Sequence, residues 1–209
     1  MGLTAERLTA DLDALGGIEP AFAAAIARVG YPEPRIRERG YATLLRTIVG
    51  QQVSVHAANA VWRKLEAMVG DPTDPVVIAA ASDETLRAAG FSRQKTGYAR
   101  SLAEEVTSGR LNLDALPVDD EEAVAQLIRV KGIGRWSAEV YLLFAEGRAD
   151  VWPAGDLAVQ IEVGRILGHD VRPSEKLTRT LAEAWRPYRG AAAIFTWHHY
   201  GAGPDAAPV

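Results

Sequence analysis

Apolar side chains recur at helical intervals along nearly the whole chain. Tyr41, Leu44, Leu45, Ile48 and Val49 fall at i, i+3, i+4, i+7 and i+8, the spacing that turns one helix stripe toward a core. Val55, Ala58, Trp62, Leu65 and Val69 repeat the pattern. The same reading predicts helices over 75–81, 83–89, 94–108, 121–130, 137–145, 156–167, 174–185 and 191–200. Breaks stand between them: Gly70-Asp71-Pro72, Gly90, Gly109, Pro117, Gly147, Gly168 and Pro173. No segment alternates apolar and polar residues as a half-buried strand does, and no repeat of solenoid length occurs. The expected fold class is all-α, with residues 201–209 as a frayed tail.

With 209 residues, 48% of them hydrophobic, the chain can bury a core for one domain or two small ones. It has no cysteine, which excludes disulfides, zinc–thiolate sites and a Cys-ligated iron–sulfur cluster. The expected setting is a reducing cytoplasm, at the nucleoid in a prokaryote. No stretch approaches the roughly 20 apolar residues of a membrane span, and the N-terminus does not read as an export signal. The chain is expected to be soluble, with no membrane partner.

Charge argues against a protein that coats nucleic acid. Lys and Arg number 23 against 27 Asp and Glu, for a net charge of -4, whereas phosphate binding usually draws on a basic surface. The objection weakens where backbone amides and a few local cations make the contact.

Three stretches carry chemistry. In Leu127–Glu139, a helix, a Gly132-Ile133-Gly134 turn and a second helix follow one another. The glycines permit a sharp turn and leave the second helix's first amides open to an anion, while Ile133 pins the turn inward. An ordinary helix joint has the same composition. In Asp150–Gln160, Asp156 opens a helix after a Pro/Gly loop. It reads as a plain N-cap, and equally as a carboxylate stabilised by a helix N-terminus that could steady an oxocarbenium-like sugar or orient water. In Ile48–His56 a helix breaks at Gly50 and restarts under Ser54, leaving Gln51 and Gln52 on a turn. They form either a polar loop or a plug for the gap left by an extruded nucleotide.

Taken together, the ordered segments IVGQQVSVHAANAV, GFSRQKTGYARSLA and VKGIGRWSAE, with Asp156 following Trp136 by 20 residues, resemble the helix-hairpin-helix, Gly/Pro-Asp superfamily of DNA glycosylases. The nearest branch is the AlkA-type 3-methyladenine DNA glycosylase II, in a compact form, and the likeness covers about 38–200. The resemblance implies that Asp156 is catalytic and that Gly132, Ile133 and Gly134 bind DNA, with Lys131, Arg135 and Lys95 as phosphate contacts and Arg93 as either a contact or a solvated charge. Trp136 stands where the strand-cleaving branch carries a nucleophilic lysine. An indole forms no Schiff base, so base removal that leaves an intact abasic site is implied.

Trp136 and Trp197 resemble the aromatic walls of a pocket for cationic alkylated purines, 3-methyladenine and 7-methylguanine among them, although packing explains a tryptophan equally. Val140 takes the place of a pocket tyrosine and implies a wider pocket. Gln52 replaces an apolar wedge, so the gap-filling role falls on Gln51, Gln52 or both. The resemblance also implies a structural Na+ or K+ on the carbonyls of Ile128, Val130 and Ile133, and no cofactor for catalysis. His198 and His199, adjacent in sequence, do not have the spacing of a helical metal-ligand pair.

The expected organisation is a six-helix domain over 38–140 ending in the hairpin, and a second helical domain of 1–37 plus 141–209 carrying Asp156, with the active cleft between them. The expected partner is double-stranded DNA containing damaged bases, bound by a monomer. Two rival readings are a non-catalytic DNA-damage binder and a bifunctional glycosylase/lyase using another amine, such as Lys131.

Overall fold

The computed structural model describes residues 3–202, and all regular structure among them is helical. The all-α expectation is borne out. The chain divides into two compact units: Arg37–Tyr141, and the residues up to Ile36 together with those from Leu142 onward. The chain opens in the second of these with α1 (Ala5–Ile18) and α2 (Pro20–Val29). Thr4 caps α1 by accepting from the Arg7 amide, and Pro20 begins α2 where its missing N–H costs nothing. α1 packs on α2, and Leu8, Leu12 and Leu15 of the one and Phe22, Ala25 and Ile26 of the other are buried.

The Arg37–Tyr141 unit contains α3 (Tyr41–Gly50), α4 (Val55–Val69), α5 (Pro75–Ala80), α6 (Asp83–Ala88), α7 (Arg93–Thr107), α8 (Asp120–Leu127) and α9 (Arg135–Tyr141). The five α3 residues picked out by spacing are its buried face, and the helix packs on α4, α7 and α9. Ser54, Ser82, Ser92 and Asp119 each cap the following helix by accepting a backbone N–H. The unit holds seven helices rather than the expected six. The helix expected over 137–145 does not run across the boundary as one α-helix: its α-helical part ends at Tyr141, where a π-turn, Leu142–Glu146, begins. α8 also stops three residues short of the expected 130, where Ile128 closes the last turn.

The other unit resumes with that π-turn and continues through α10 (Leu157–Leu167), α11 (Glu175–Leu181), a 3-10 turn (Ala182–Trp185) and α12 (Arg189–Ala202). Its centre is aromatic. Phe22 meets Trp185 edge-on at 5.0 Å between ring centroids, and Trp185 meets Trp152 edge-on at 5.5 Å. Such pairs contribute about 0.5–1.5 kcal/mol each beyond the area they bury.

Asp150 receives Arg189 (2.9 and 3.0 Å) and Arg186 (2.6 Å), which ties the loop ahead of α10 to the start of α12. Glu162 of α10 is fully buried and satisfied by Arg165 at 2.8 Å and by His199 of α12. A buried carboxylate is tolerated only with such partners. Gly201 and Ala202 complete α12, and the remainder of the tail expected to fray lies outside the described residues. No helix among the described residues is long and apolar enough to cross a membrane.

Candidate nucleic-acid interface and active site

The hairpin between α8 and α9 turns on Gly132, whose φ is +86°. A Cβ there would lie 2.2 Å from the Tyr98 ring of α7, so glycine is required twice, by conformation and by space. Ile133 and Val130 are buried and anchor the turn, and the Ile133 amide donates to the Val130 carbonyl at 3.0 Å. Two further ties come from outside the hairpin. Gln51 Nε2 donates to the Gly132 carbonyl at 2.8 Å, and the Lys131 amide donates to Ser101 Oγ at 3.0 Å. Gly134 differs from Gly132: its φ is ordinary, and a Cβ there would meet open space. The side chain it lacks leaves room for an approaching group.

Of the cations proposed as phosphate contacts, Lys131 and Arg93 are exposed. Arg135 donates to Glu139 at 3.1 Å and to Glu121, and these carboxylates raise its pKa further and offset its charge. Lys95 is half-buried, and its Nζ donates to the Val49 carbonyl at 2.7 Å at the end of α3; burial lowers its pKa. Local carboxylates hold the Arg135 side chain and a helix carbonyl holds that of Lys95.

The loop between α3 and α4 holds the two glutamines in different states. Gln51 turns inward to the hairpin, whereas Gln52 is exposed with φ +55°, a left-handed conformation that non-glycine residues rarely adopt. The same unit contains a cavity of about 850 Å³ lined by residues of α3, α4, this loop and α9. Trp136, Ser137 and Val140 form its α9 wall, and Trp136 leaves 46% of its surface exposed. Opposite features were not picked out from sequence: the Arg46 guanidinium lies 3.7 Å from the Trp62 ring centroid, and Trp62 Nε1 donates to Glu66 at 2.6 Å. Arg46 and Trp62 are 16 positions apart on separate helices, so no periodic signal couples them. Tyr98, which fills the space over Gly132, is likewise on a separate helix with no periodic signal coupling it to the turn.

In the other unit Asp156 stands half-buried as the N-cap of α10, its Oδ1 accepting the Val159 amide at 3.0 Å. That bond fixes the carboxylate's orientation. Trp197, on α12, is half-buried and lies 5.5 Å from the Phe144 ring. The adjacent histidines have separate tasks: His198 Nε2 meets the Val29 carbonyl at 3.1 Å, and His199 pairs with Glu162. The structure thus gathers Gln51, Gln52, Trp136 and Val140 with the hairpin in one unit, and Asp156 and Trp197 in the other.

The carbonyls of Ile128, Val130 and Ile133 offer an all-oxygen, uncharged donor set, which suits a hard monovalent cation. The Val130 oxygen already accepts one bond within the turn and retains a second lone pair.

Over 191 residues the chain is 30% identical to the DNA-3-methyladenine glycosylase 1 of Schizosaccharomyces pombe, covering 88% of this chain and 83% of that protein. Its structure superposes on a DNA-3-methyladenine glycosidase of Bacillus halodurans with a TM-score of 0.83 at 30% identity, over 93% of this chain and 89% of the other. It also superposes on the S. pombe 3-methyladenine DNA glycosylase Mag1 in complex with abasic DNA, with a TM-score of 0.77 at 27% identity, over 95% and 99% of the two chains. The family model of the HhH-GPD superfamily base excision DNA repair proteins matches residues 45–187, taking in the glutamine loop, the Gly-Ile-Gly hairpin and the aspartate-capped α10. With that span matched and the hairpin and cap in place, the chain belongs to the HhH-GPD superfamily of base excision DNA repair proteins.

Proposed function

We propose that this chain is a monofunctional DNA glycosylase that hydrolyses the N-glycosidic bond of alkylated purines and leaves an abasic site. The observation that carries the reading is the Asp156 carboxylate, oriented by the Val159 amide in the first turn of α10 within the family-matched region. When the bond to the base breaks, positive charge passes from the alkylated base to the sugar, and an anion fixed beside the sugar stabilises that state more than the ground state, in which the charge sits on the base. Trp136, carrying no amine, cannot form the covalent intermediate of strand cleavage. The glycosylase names of the relatives support the substrate class, and the abasic-DNA complex of Mag1 supports binding to DNA.

In this reading the hairpin amides from Gly134 onward, with Lys131, hold the backbone, and the lesion is swung out of the stack. Trp136 and Val140 supply pocket walls in their unit, and Trp197 offers an aromatic face in the other. Gln52 fills the vacated position, since Gln51 is committed to the Gly132 carbonyl. A Na+ or K+ on the carbonyls of Ile128, Val130 and Ile133 would brace the turn, and one copy of the chain acts on one duplex.

The test is release of free base from duplexes containing 3-methyladenine or 7-methylguanine, followed by mass spectrometry. Wild type is expected to release base and Asp156→Asn to lose most of that rate. Equal rates for the two would defeat the proposal. Borohydride trapping of a protein–DNA adduct would establish the lyase alternative in its place.

A further inference from the structure

We infer that Gln160 and Arg172 form a clamp that positions Asp156; the inference rests on the reading of Asp156 as the catalytic carboxylate. Gln160 is 7% exposed and lies one turn into α10. Its Nε2 donates to the Ala154 carbonyl at 2.8 Å, and its Oε1 accepts from Arg172 Nη1 at 3.0 Å. Its backbone N–H donates to the Asp156 carbonyl at 3.0 Å. One residue therefore holds the loop on both sides of Gly155, while the same helix orients the carboxylate through Val159.

Val159 beside Gln160, and Val163 and Gly164 one turn further along α10, are buried and bring no polar side chain to it. A primary amide in such a place is retained at a desolvation cost unless its donors and acceptor are satisfied. Here they are satisfied by the Asp156 loop and by an arginine, which makes the amide a link between the two. The sequence also makes room for the link. Gly164, one turn further along the same face, would place a Cβ 2.9 Å from Pro173 Cδ and 3.8 Å from Arg172 Cα. Its lack of a side chain lets 171–173 lie against α10 where Arg172 reaches Gln160. Misplacement of a reacting group by about 1 Å costs on the order of 100-fold in rate, so a loop held this way has kinetic consequences.

The experiment compares single-turnover base excision, affinity for a duplex containing an abasic-site analogue, and thermal unfolding in the full chain. Gln160→Leu is expected to slow excision by about 10- to 100-fold with little change in affinity. Gln160→Glu keeps the length and the arginine partner but cannot donate to Ala154, and is expected to be no faster than Gln160→Leu. Arg172→Gln, at an exposed residue, is the variant that keeps the test open if Gln160 substitutions unfold the chain. It is expected to slow excision alone and to add nothing in the Gln160→Leu background. Wild-type rates in folded Gln160→Leu or Arg172→Gln, or parallel losses of rate and affinity, overturn the clamp. Undiminished excision by Asp156→Asn overturns the reading of Asp156 itself, and the clamp with it.

Discussion

Replacing Gly132 by alanine tests whether the hairpin is built on the contact between α7 and the turn. An L-residue forced to φ +86° carries a backbone penalty of about 1–2 kcal/mol. The new methyl would also stand 2.2 Å from the Tyr98 ring, closer than carbon atoms approach, and the ring is tethered through its hydroxyl to Gln94. Forcing extra volume into a packed position adds about 1–3 kcal/mol. The expected total is about 2–5 kcal/mol, a large part of the stability of an ordinary domain.

Urea unfolding followed by tryptophan fluorescence measures it, with Trp62 and Trp136 reporting from the same unit. Two controls separate the causes. In a Tyr98→Ala background the steric part disappears, and Gly132→Ala should then cost only the backbone part. Gly134→Ala, at an ordinary φ with open space around its Cβ, should leave stability within about 0.5 kcal/mol, as surface changes usually do. Gly134→Ala should nonetheless weaken binding to duplex DNA. A cost for Gly132→Ala below about 0.5 kcal/mol would refute the reasoning, as would an unchanged cost in the Tyr98→Ala background.

Three further outcomes follow from the geometry. Gln51→Leu removes the side-chain donor to the Gly132 carbonyl and is expected to lower stability by about 1 kcal/mol, read in the same unfolding assay. Ser54→Ala removes the cap on the Ala57 amide and is expected to cost about 1 kcal/mol, recovered by Ser54→Asp but not by Ser54→Val. The Glu183 carboxyl is held below its ordinary value of 4.5, chiefly by the hydrogen bond from Arg186. Because the folded chain then takes up the proton later than the unfolded chain, this contribution is full above the ordinary value and fades as pH falls through the lowered one. Glu183→Gln should therefore flatten the loss of Tm on acidification below about pH 5, and an unchanged profile would count against it.

How much was legible beforehand can be followed residue by residue. The buried face of α3 is legible in the sequence because one amphipathic stripe is a local property, repeated every turn. Asp156 was placed at the start of α10 because capping involves neighbours three residues apart. The division of labour between Gln51 and Gln52 was not legible: it depends on a carbonyl 81 positions away. The engagement of Lys95 with Val49, and of Arg135 with Glu121, was hidden for the same reason, and both made these cations look more available than they are.

The sequence by itself determined an all-helical chain, its breaks and caps, and the order of motifs that marks its family, since each of these depends on side chains within a turn or two of one another. Only the tertiary structure decided that Tyr98 demands glycine at 132, that Arg46 rests on Trp62, and that Gln160 joins Arg172 to the Asp156 loop. Those pairs are made by packing between elements distant along the chain, where closeness depends on how whole helices settle against each other rather than on any local period.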